Sequence, residues 1–294
     1  MTLGVTGASG FIGRRVVEFA LRRGYEVVAY TRDPDRLRIP GCEVRRFCSE
    51  VVPDLNGIDA LVHLAGESVV GLWTAAKKRR IVESRVQGTR RLAEGLVRMA
   101  RPPEVFVSGS AIGYYGDRGD EELMEDSRIG GGFLADSCAA WEAEALPVEA
   151  VCRVVRVRTG IVLGKEGGAL RAMHWPFRLG GGAVIGEGRQ WVSWIHLDDI
   201  ARMFLFCVED LAVRGVVNGT APWPRRNREY SEAIAAALGA PLFLRIPAWA
   251  VRLAGEFSAE LLDSKRVLPG VAGVRGFRWE YPELEAALKV EFGG

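Results

Sequence analysis

Seven residues near the N-terminus constrain this chain more than any others. Gly7-Ala-Ser-Gly10-Phe-Ile-Gly13 follows a short apolar run and opens a helical pattern. The three glycines have separate physical tasks. Gly7 permits the tight turn that leaves the strand, Gly10 allows the backbone to approach a ligand without a Cβ, and Gly13 allows the helix to pack closely on the sheet. The helix then presents free N–H groups and a partial positive charge to an anion. A strand–turn–helix with this spacing inside a βαβ unit points to a dinucleotide, its pyrophosphate resting against Gly7, Ser9, Gly10, Phe11, Ile12 and Gly13.

Which dinucleotide is decided at the end of the second strand, where an acid would hold a free ribose 2′-hydroxyl. Here Val27-Val-Ala-Tyr30 runs into Thr31-Arg32. Arg32 can pair with a 2′-phosphate, and Thr31 removes the acid that would repel it. The expected cofactor is therefore NADP(H), with Arg32 as a solvated loop arginine the alternative.

The rest of the chain suits that reading. Short apolar runs alternate with helical patterns through the first half: strands at Met1–Thr6, Glu26–Tyr30, Glu43–Phe47, Ala60–Leu64, Glu104–Val107 and Val151–Val157, and helices at Arg14–Arg23, Lys77–Ala100 and Ala135–Leu146. This rhythm predicts an α/β fold, a Rossmann-type doubly wound parallel sheet. After about residue 165 glycine-rich loops intervene. A strand is expected at Trp191–His196, a helix at Asp198–Glu209 with an Asp N-cap, a short strand at Val216-Val-Asn218 and a helix at Asn227–Leu238. We expect a core over 1–165 and a smaller, interleaved α/β lobe over 166–294, some of whose segments return to the core. The substrate cleft lies between them, with Gly180–Gly188 as a loop over it.

Composition excludes other classes. A net charge of +2 gives no case for nucleic acid as a partner, and no apolar run is long enough for a membrane helix. No leader pattern precedes the fingerprint, so the expected location is cytoplasmic. The five cysteines show no metal spacing and read as free thiols in a reducing compartment; no metal is expected. Trp175, Trp191, Trp194 and Trp223 cluster in the second lobe's sequence, either as an aromatic pocket or as packing between lobe and sheet. His196 reads as a structural donor at a strand end and His63 as satisfied within a core strand. His174 carries no signal.

The Gly-x-x-Gly-x-x-Gly spacing, together with Leu64-Ala-Gly66, Ser108-Gly-Ser110 and Asn218-Gly-Thr-Ala-Pro222, resembles the short-chain dehydrogenase/reductase superfamily in its extended, epimerase-like branch. Leu64-Ala-Gly-Glu67, Glu83-Ser-Arg85, Ala111-Ile-Gly-Tyr-Tyr-Gly116, Trp141-Glu142, Gly160-Ile-Val-Leu-Gly164, Gly167-Gly-Ala-Leu170, Ser193-Trp-Ile-His196 and Gly276-Phe277 are similar to one subgroup of epimerase-family proteins, sometimes labelled cell-division-inhibitor-like. The resemblance implies that Thr31-Arg32 hold the adenosine ribose phosphate. It also implies that Leu64, Ala65 and Gly66 run beneath the cofactor, that Arg85 reaches toward it, and that Val162 packs near the nicotinamide. For Arg85 the alternative is a surface salt bridge. By analogy, extended members often pair as homodimers through the long helix and its neighbour, and a homodimer is one possible state here.

The same resemblance exposes a departure. Such reductases move a proton with a Tyr-x-x-x-Lys pair supported by a serine. Ser110 stands at the serine position, but anchoring on Trp141-Glu142 places the pair on Leu134 and Cys138, and the chain contains no Tyr-x-x-x-Lys. The usual helix asparagine is likewise replaced, by Ser84-Arg85. Three readings follow. The first is an NADP(H)-dependent oxidoreductase on a small molecule, with relocated acid–base groups drawn from Ser110, Tyr114, Tyr115 and Glu67; Cys138 as a nucleophile is a distant further candidate. The second is a non-catalytic NADPH-binding sensor. The third is a nucleotide-sugar epimerase, which needs a general base that the sequence does not display.

Overall fold

A computed structural model describes residues 1–293 except 37, 49 and 72. The chain opens with β1 (Thr2–Thr6), α1 (Phe11–Arg22), β2 (Glu26–Thr31), β3 (Cys42–Arg46), β4 (Ala60–His63), α2 (Ala75–Arg98), β5 (Val105–Ala111), β6 (Glu122–Leu123), α3 (Phe133–Ala145) and β7 (Arg153–Thr159). It continues with β8 (Ile161–Leu163), α4 (Gly168–Pro176), β9 (Ala183–Ile185), β10 (Trp191–Val192), β11 (Trp194–His196), α5 (Leu197–Glu209), β12 (Gly215–Gly219) and β13 (Arg225–Arg226). The last elements are α6 (Asn227–Ala237), β14 (Leu244–Ile246), α7 (Ala248–Val251), α8 (Ser258–Leu262), β15 (Arg266–Val267), α9 (Gly270–Val274) and α10 (Leu284–Phe292).

Seven strands form one parallel sheet in the order β12-β7-β5-β4-β1-β2-β3. The order reverses between β1 and β4, which opens a crevice at their carboxyl ends where open α/β sheets bind ligands. Near-continuous apolar strands allow both faces to be covered. On one face Leu3, Val5, Ala29, Val62, Val107 and Val157 pack with Val16 of α1 and Phe204 of α5. On the other, Tyr30, Leu61 and Phe106 pack with Leu92 and Leu96 of α2. Period-two alternation thus assigns Ser108, Ser110 and Arg158 to the α2–α3 face, since Val107 and Val157 point the other way.

A separate cluster holds the C-terminal lobe together. Leu163, Leu170, Trp194, Tyr230, Ile234 and Leu288 meet there. The chain after 165 is nevertheless shared between the two bodies: β12 completes the central sheet and α5 covers it. Asn218 therefore belongs to the core sheet, not to the lobe. The expected strand over 191–196 is two, because Ser193 leaves the ladder. β10 pairs antiparallel with β13, β11 parallel with β8, and the Ser193 hydroxyl donates to the Lys265 carbonyl at 2.7 Å. The expected Asp N-cap of α5 is His196 instead, whose Nδ1 accepts from the Asp198 amide at 3.1 Å. Its Nε2 faces Glu291 of α10 at 3.0 Å.

Asp199 ties the C-terminal tail to this frame. Its carboxylate is fully buried and accepts from the amides of Glu280 (2.8 Å) and Tyr281 (2.9 Å) and from Arg202 (2.9 Å). Asp199→Ala leaves those donors without their acceptor and is expected to cost about 1–3 kcal/mol. The midpoint of urea unfolding measures this, and Asp199→Asn, which keeps one acceptor, should lose less.

Candidate functional site

The N-terminal turn is built as a cradle. Gly7 has φ +69°, and a Cβ there would lie 2.8 Å from the Leu64 carbonyl group. A Cβ on Gly13 would lie 2.1 Å from the Gly7 oxygen, so no side chain fits. Gly10 caps α1 in an extended conformation, with no side-chain cap and no acid in the first turn. The first amides of α1 are therefore left for an external acceptor. Ser9 is exposed and Phe11 and Ile12 are half-buried. The Phe11 ring lies where side chains on Gly164, Gly167 and Gly168 would stand, within 2.6–3.1 Å of each ideal Cβ, which explains that second glycine cluster.

The cradle's floor is set by a buried relay. The Thr6 hydroxyl accepts from the amides of Leu64 (3.1 Å) and Ala65 (3.2 Å) and meets His63 Nδ1 at 2.6 Å. With its acceptor capacity taken by two amides, Thr6 donates to Nδ1, which leaves His63 Nε2–H to donate to Thr89 at 3.1 Å. Burial, and then the charge of Arg85, push the His63 pKa down to about 3, so the ring stays neutral. His63 is thus satisfied within the core, and it positions Leu64 and Ala65.

Past the end of β2, Thr31 Oγ1 accepts from the Asp33 amide at 3.4 Å, and Arg32 projects into solvent close enough to Glu67 to bear on its charge. Glu67 accepts from Lys77 at 2.8 Å, with Arg80 at 3.8 Å. The Lys77 hydrogen bond holds the Glu67 carboxyl below its ordinary range. A general base at neutral pH needs the opposite shift, so Glu67 is a charge partner of a basic rim. Arg85 turns inward, not to a surface salt bridge. Its Nη1 donates to the carbonyls of Glu67 (2.8 Å) and Ile81 (3.2 Å), and its guanidinium stands over Trp141 at 5.1 Å. Gly66 makes room, since a Cβ there would sit 3.3 Å from the Arg85 Cζ. Val162, half-buried on β8, pairs with Ile195.

The remaining candidates converge on a buried ionic network that sequence reading missed. Register places Ser110, Arg158 and Asn218 side by side on β5, β7 and β12. Arg158 binds Glu142 of α3 through two hydrogen bonds, at 2.8 and 3.0 Å, and Ser110 Oγ donates to the same carboxylate at 2.7 Å. Burial alone would lower the Arg158 pKa, but the bonds to Glu142 overcome it and hold the cation. Tyr115 is fully buried; its hydroxyl accepts from Arg158 (2.9 Å) and donates to Asn218 Oδ1 (2.7 Å), and burial pushes its pKa up to about 12. Tyr115 therefore cannot meet a ligand. Tyr114 is the half-exposed member of the pair, its ring stacked on the Arg158 guanidinium at 3.4 Å. The signal available in the sequence was the arginine at 158, inside an otherwise buried parallel strand, where a charge demands a partner.

Leu134 and Cys138, at the expected tyrosine and lysine positions, both flank Gly113, and burial pushes the Cys138 thiol up to about 12. That thiol is no nucleophile. The tryptophans form no single pocket: Trp194 is buried in the lobe core, Trp175 is exposed, and Trp191 lies between Arg226 and Arg266. Next to Trp191 is a cavity of about 680 Å³, lined among others by Asp120, Arg226, Arg228, Arg252 and Leu262. Among the described residues no group of acids, histidines and cysteines could hold a metal, and no helix is long and apolar enough to cross a membrane.

Comparison with known proteins agrees with this geometry. The model of the NAD dependent epimerase/dehydratase family matches residues 3–218. The chain belongs to that family. A domain of unknown function (DUF1731) matches residues 246–290. The chain is 37% identical over 292 residues to epimerase family protein SDR39U1 of Mus musculus, covering 97% of both chains, and 34% identical to epimerase family protein YfhF of Bacillus subtilis, covering 98% and 97%. The crystal structure of human SDR39U1 (isoform 2) with NADPH superposes with a TM-score of 0.92 at 33% identity over the whole of both chains. A UDP-galactose 4-epimerase shares the fold at 20% identity, with a TM-score of 0.76.

The network makes a stability prediction. Glu142→Gln leaves the Arg158 charge buried without a counter-charge and should cost about 3–5 kcal/mol. Replacing both partners, Glu142→Leu with Arg158→Met, should recover much of that loss. Denaturant unfolding of the single and double variants measures the coupling.

Proposed function

We propose that this protein is an NADP(H)-dependent oxidoreductase that acts on a small carbonyl compound in the cleft between the central sheet and the C-terminal lobe. One observation carries the reading: the start of α1 at Gly10 is uncapped and free of acids, and past the end of β2 Arg32, Lys77 and Arg80 gather around a single carboxylate, Glu67. That rim has an excess of cations of the kind a 2′-phosphate needs. The related human protein was crystallised with NADPH, which supports the same choice. Bound there, NADPH supplies a hydride.

The chain's own residues would then divide the work. Gly7, Ser9, Gly10, Phe11, Ile12 and Gly13 receive the pyrophosphate, and Thr31 and Arg32 receive the 2′-phosphate. Leu64, Ala65 and Gly66 form the floor, and Val162 packs at the nicotinamide end. Arg85 brings a cation, poorly solvated and matched by no carboxylate in its hydrogen bonds, to the α3 face where Cys138 replaces the expected lysine. It would grip the cofactor from α2. Ser110, held by Glu142, positions the wall of the cleft. The absence of a Tyr-x-x-x-Lys pair favours one competing reading, a binding module that holds NADPH without turnover.

Titration of the tryptophan fluorescence with NADPH and NADH tests the cofactor assignment. NADPH should bind at least tenfold more tightly. Arg32→Ala should remove most of that preference while leaving NADH affinity nearly unchanged, because a lost charge-assisted contact is worth about 1.5–3 kcal/mol. Equal affinities in the unsubstituted protein would sink the assignment.

A further inference from the structure

The segment between α7 and β15 packs against the N-terminal ends of α2 and α3. Phe257 packs edge-on against Trp73 (5.6 Å between ring centroids), and Trp73 packs against Phe133 at the start of α3 (5.2 Å). Beside this stack Lys78 of α2 reaches Glu256 at 2.6 Å. The short helix α8 follows at once. Leu262 of this helix lines the cavity beside Trp191, and the Leu261 carbonyl accepts from Gln190 at 3.0 Å. Glu260, three residues after Phe257, shares the face that looks toward Trp73 and α3.

Glu260 therefore lies, half-buried, on the side of α8 that carries Phe257. Its charge is felt by Cys138, the residue at the empty lysine position of α3. Among the described residues its carboxylate takes no hydrogen bond, unlike Glu67 and Glu142, which are committed to Lys77 and to Arg158. Nothing in the sequence pattern marked it, because α8 lies some 120 residues beyond the helix it faces.

We propose that Glu260 is the proton donor of this site and that the substrate is a carbonyl compound bound between α8 and α3. The proposal rests on the reductase reading above. The balance is simple: the carbonyl carbon takes the hydride that NADPH supplies, the carbonyl oxygen takes the Glu260 proton, an alcohol leaves, and the carboxylate regains its proton from solvent. Burial holds the Glu260 carboxyl above its ordinary range, so it stays protonated to higher pH than an exposed glutamate. The groups that bear on it are Lys265 and Asp263 after α8 and Cys138 on α3, with Arg85 behind Cys138 and the Lys78–Glu256 pair beside the aromatic stack.

Two measurements on the full chain test this. Infrared difference spectra of the unsubstituted protein against Glu260→Gln should show a protonated-carboxyl band that vanishes at a pH above the usual glutamate range and shifts when NADPH binds. NADPH oxidation should then be followed with a panel of aldehydes, ketones and quinones. Glu260→Gln should lower kcat by roughly a hundredfold or more, abolish the alkaline fall in rate, and leave NADPH affinity unchanged; Glu260→Asp should retain part of the activity. Turnover that Glu260→Gln leaves unaltered in rate and pH profile overturns the role of Glu260 and spares the reductase reading. Lost NADPH binding in that variant also overturns it, as a structural effect. No turnover by the unsubstituted protein on any of the panel overturns the reductase reading, and this role falls with it.

Discussion

The bidentate bond between Arg158 and Glu142 is the interaction on which the rest of this site depends. It is buried, with side-chain exposures of 4% and 6%, and spans from β7, next to the edge strand, to α3. A charge pair so placed gains little net stability over apolar packing, but breaking it is expensive. Its value here is geometric. Ser110 and Tyr115 attach to it, Asn218 joins through the Tyr115 hydroxyl, and Asn218 in turn donates to the carbonyls of Leu123 and Leu268. One ion pair thus aligns three strands, one helix and the loops at the sheet's carboxyl edge. The cleft wall inherits their rigidity.

A second device does the same for the other wall. Thr6, His63 and Thr89 link β1, β4 and α2 through hydrogen bonds inside the core. Because the ring is kept neutral, the relay has one tautomer and one arrangement. Its consequence is the position of the Leu64 and Ala65 amides, on which the tight approach of Gly7 depends. The cradle at α1 and the floor at β4 are therefore one unit. A glycine turn without that relay would lack a fixed depth.

Local features were legible in the sequence, and relations between distant segments were not. Gly7, Gly10 and Gly13 declared their roles because backbone conformation and close approach are written into residue type. The parallel sheet was legible from the alternation of apolar runs and helical patterns. By contrast, Tyr115 and Glu67 were candidates by residue type and by their place after a strand, and only tertiary contacts reveal that one is buried and the other neutralised. Asn218 was assigned to the lobe because chain order suggested it, yet strand pairing returns it to the core. The Asp cap of α5 failed for a related reason: His196, one residue earlier than the helix, could offer Nδ1 because Glu291 occupies its other nitrogen.

The absent Tyr-x-x-x-Lys pair then has a physical meaning beyond loss. A phenol and an ammonium on α3 would have to share that face with Arg85, whose guanidinium already lies over Trp141 and near Cys138. Two uncompensated cations in so little solvent would repel, and burial would strip the lysine of its proton. Supplying the cation from α2 removes the conflict and frees position 138 for a small thiol. For the proposed reductase it would also shift the requirement for a proton source off α3. The element that faces this helix across the cleft is the segment carrying Phe257 and Glu260, held to α2 by Lys78 and to α3 through Trp73. On the reading proposed above, the C-terminal segment would join the site's chemistry: the core carries the residues that would hold a dinucleotide, and the fate of a molecule bound beside it would depend on the segment that packs against α2 and α3.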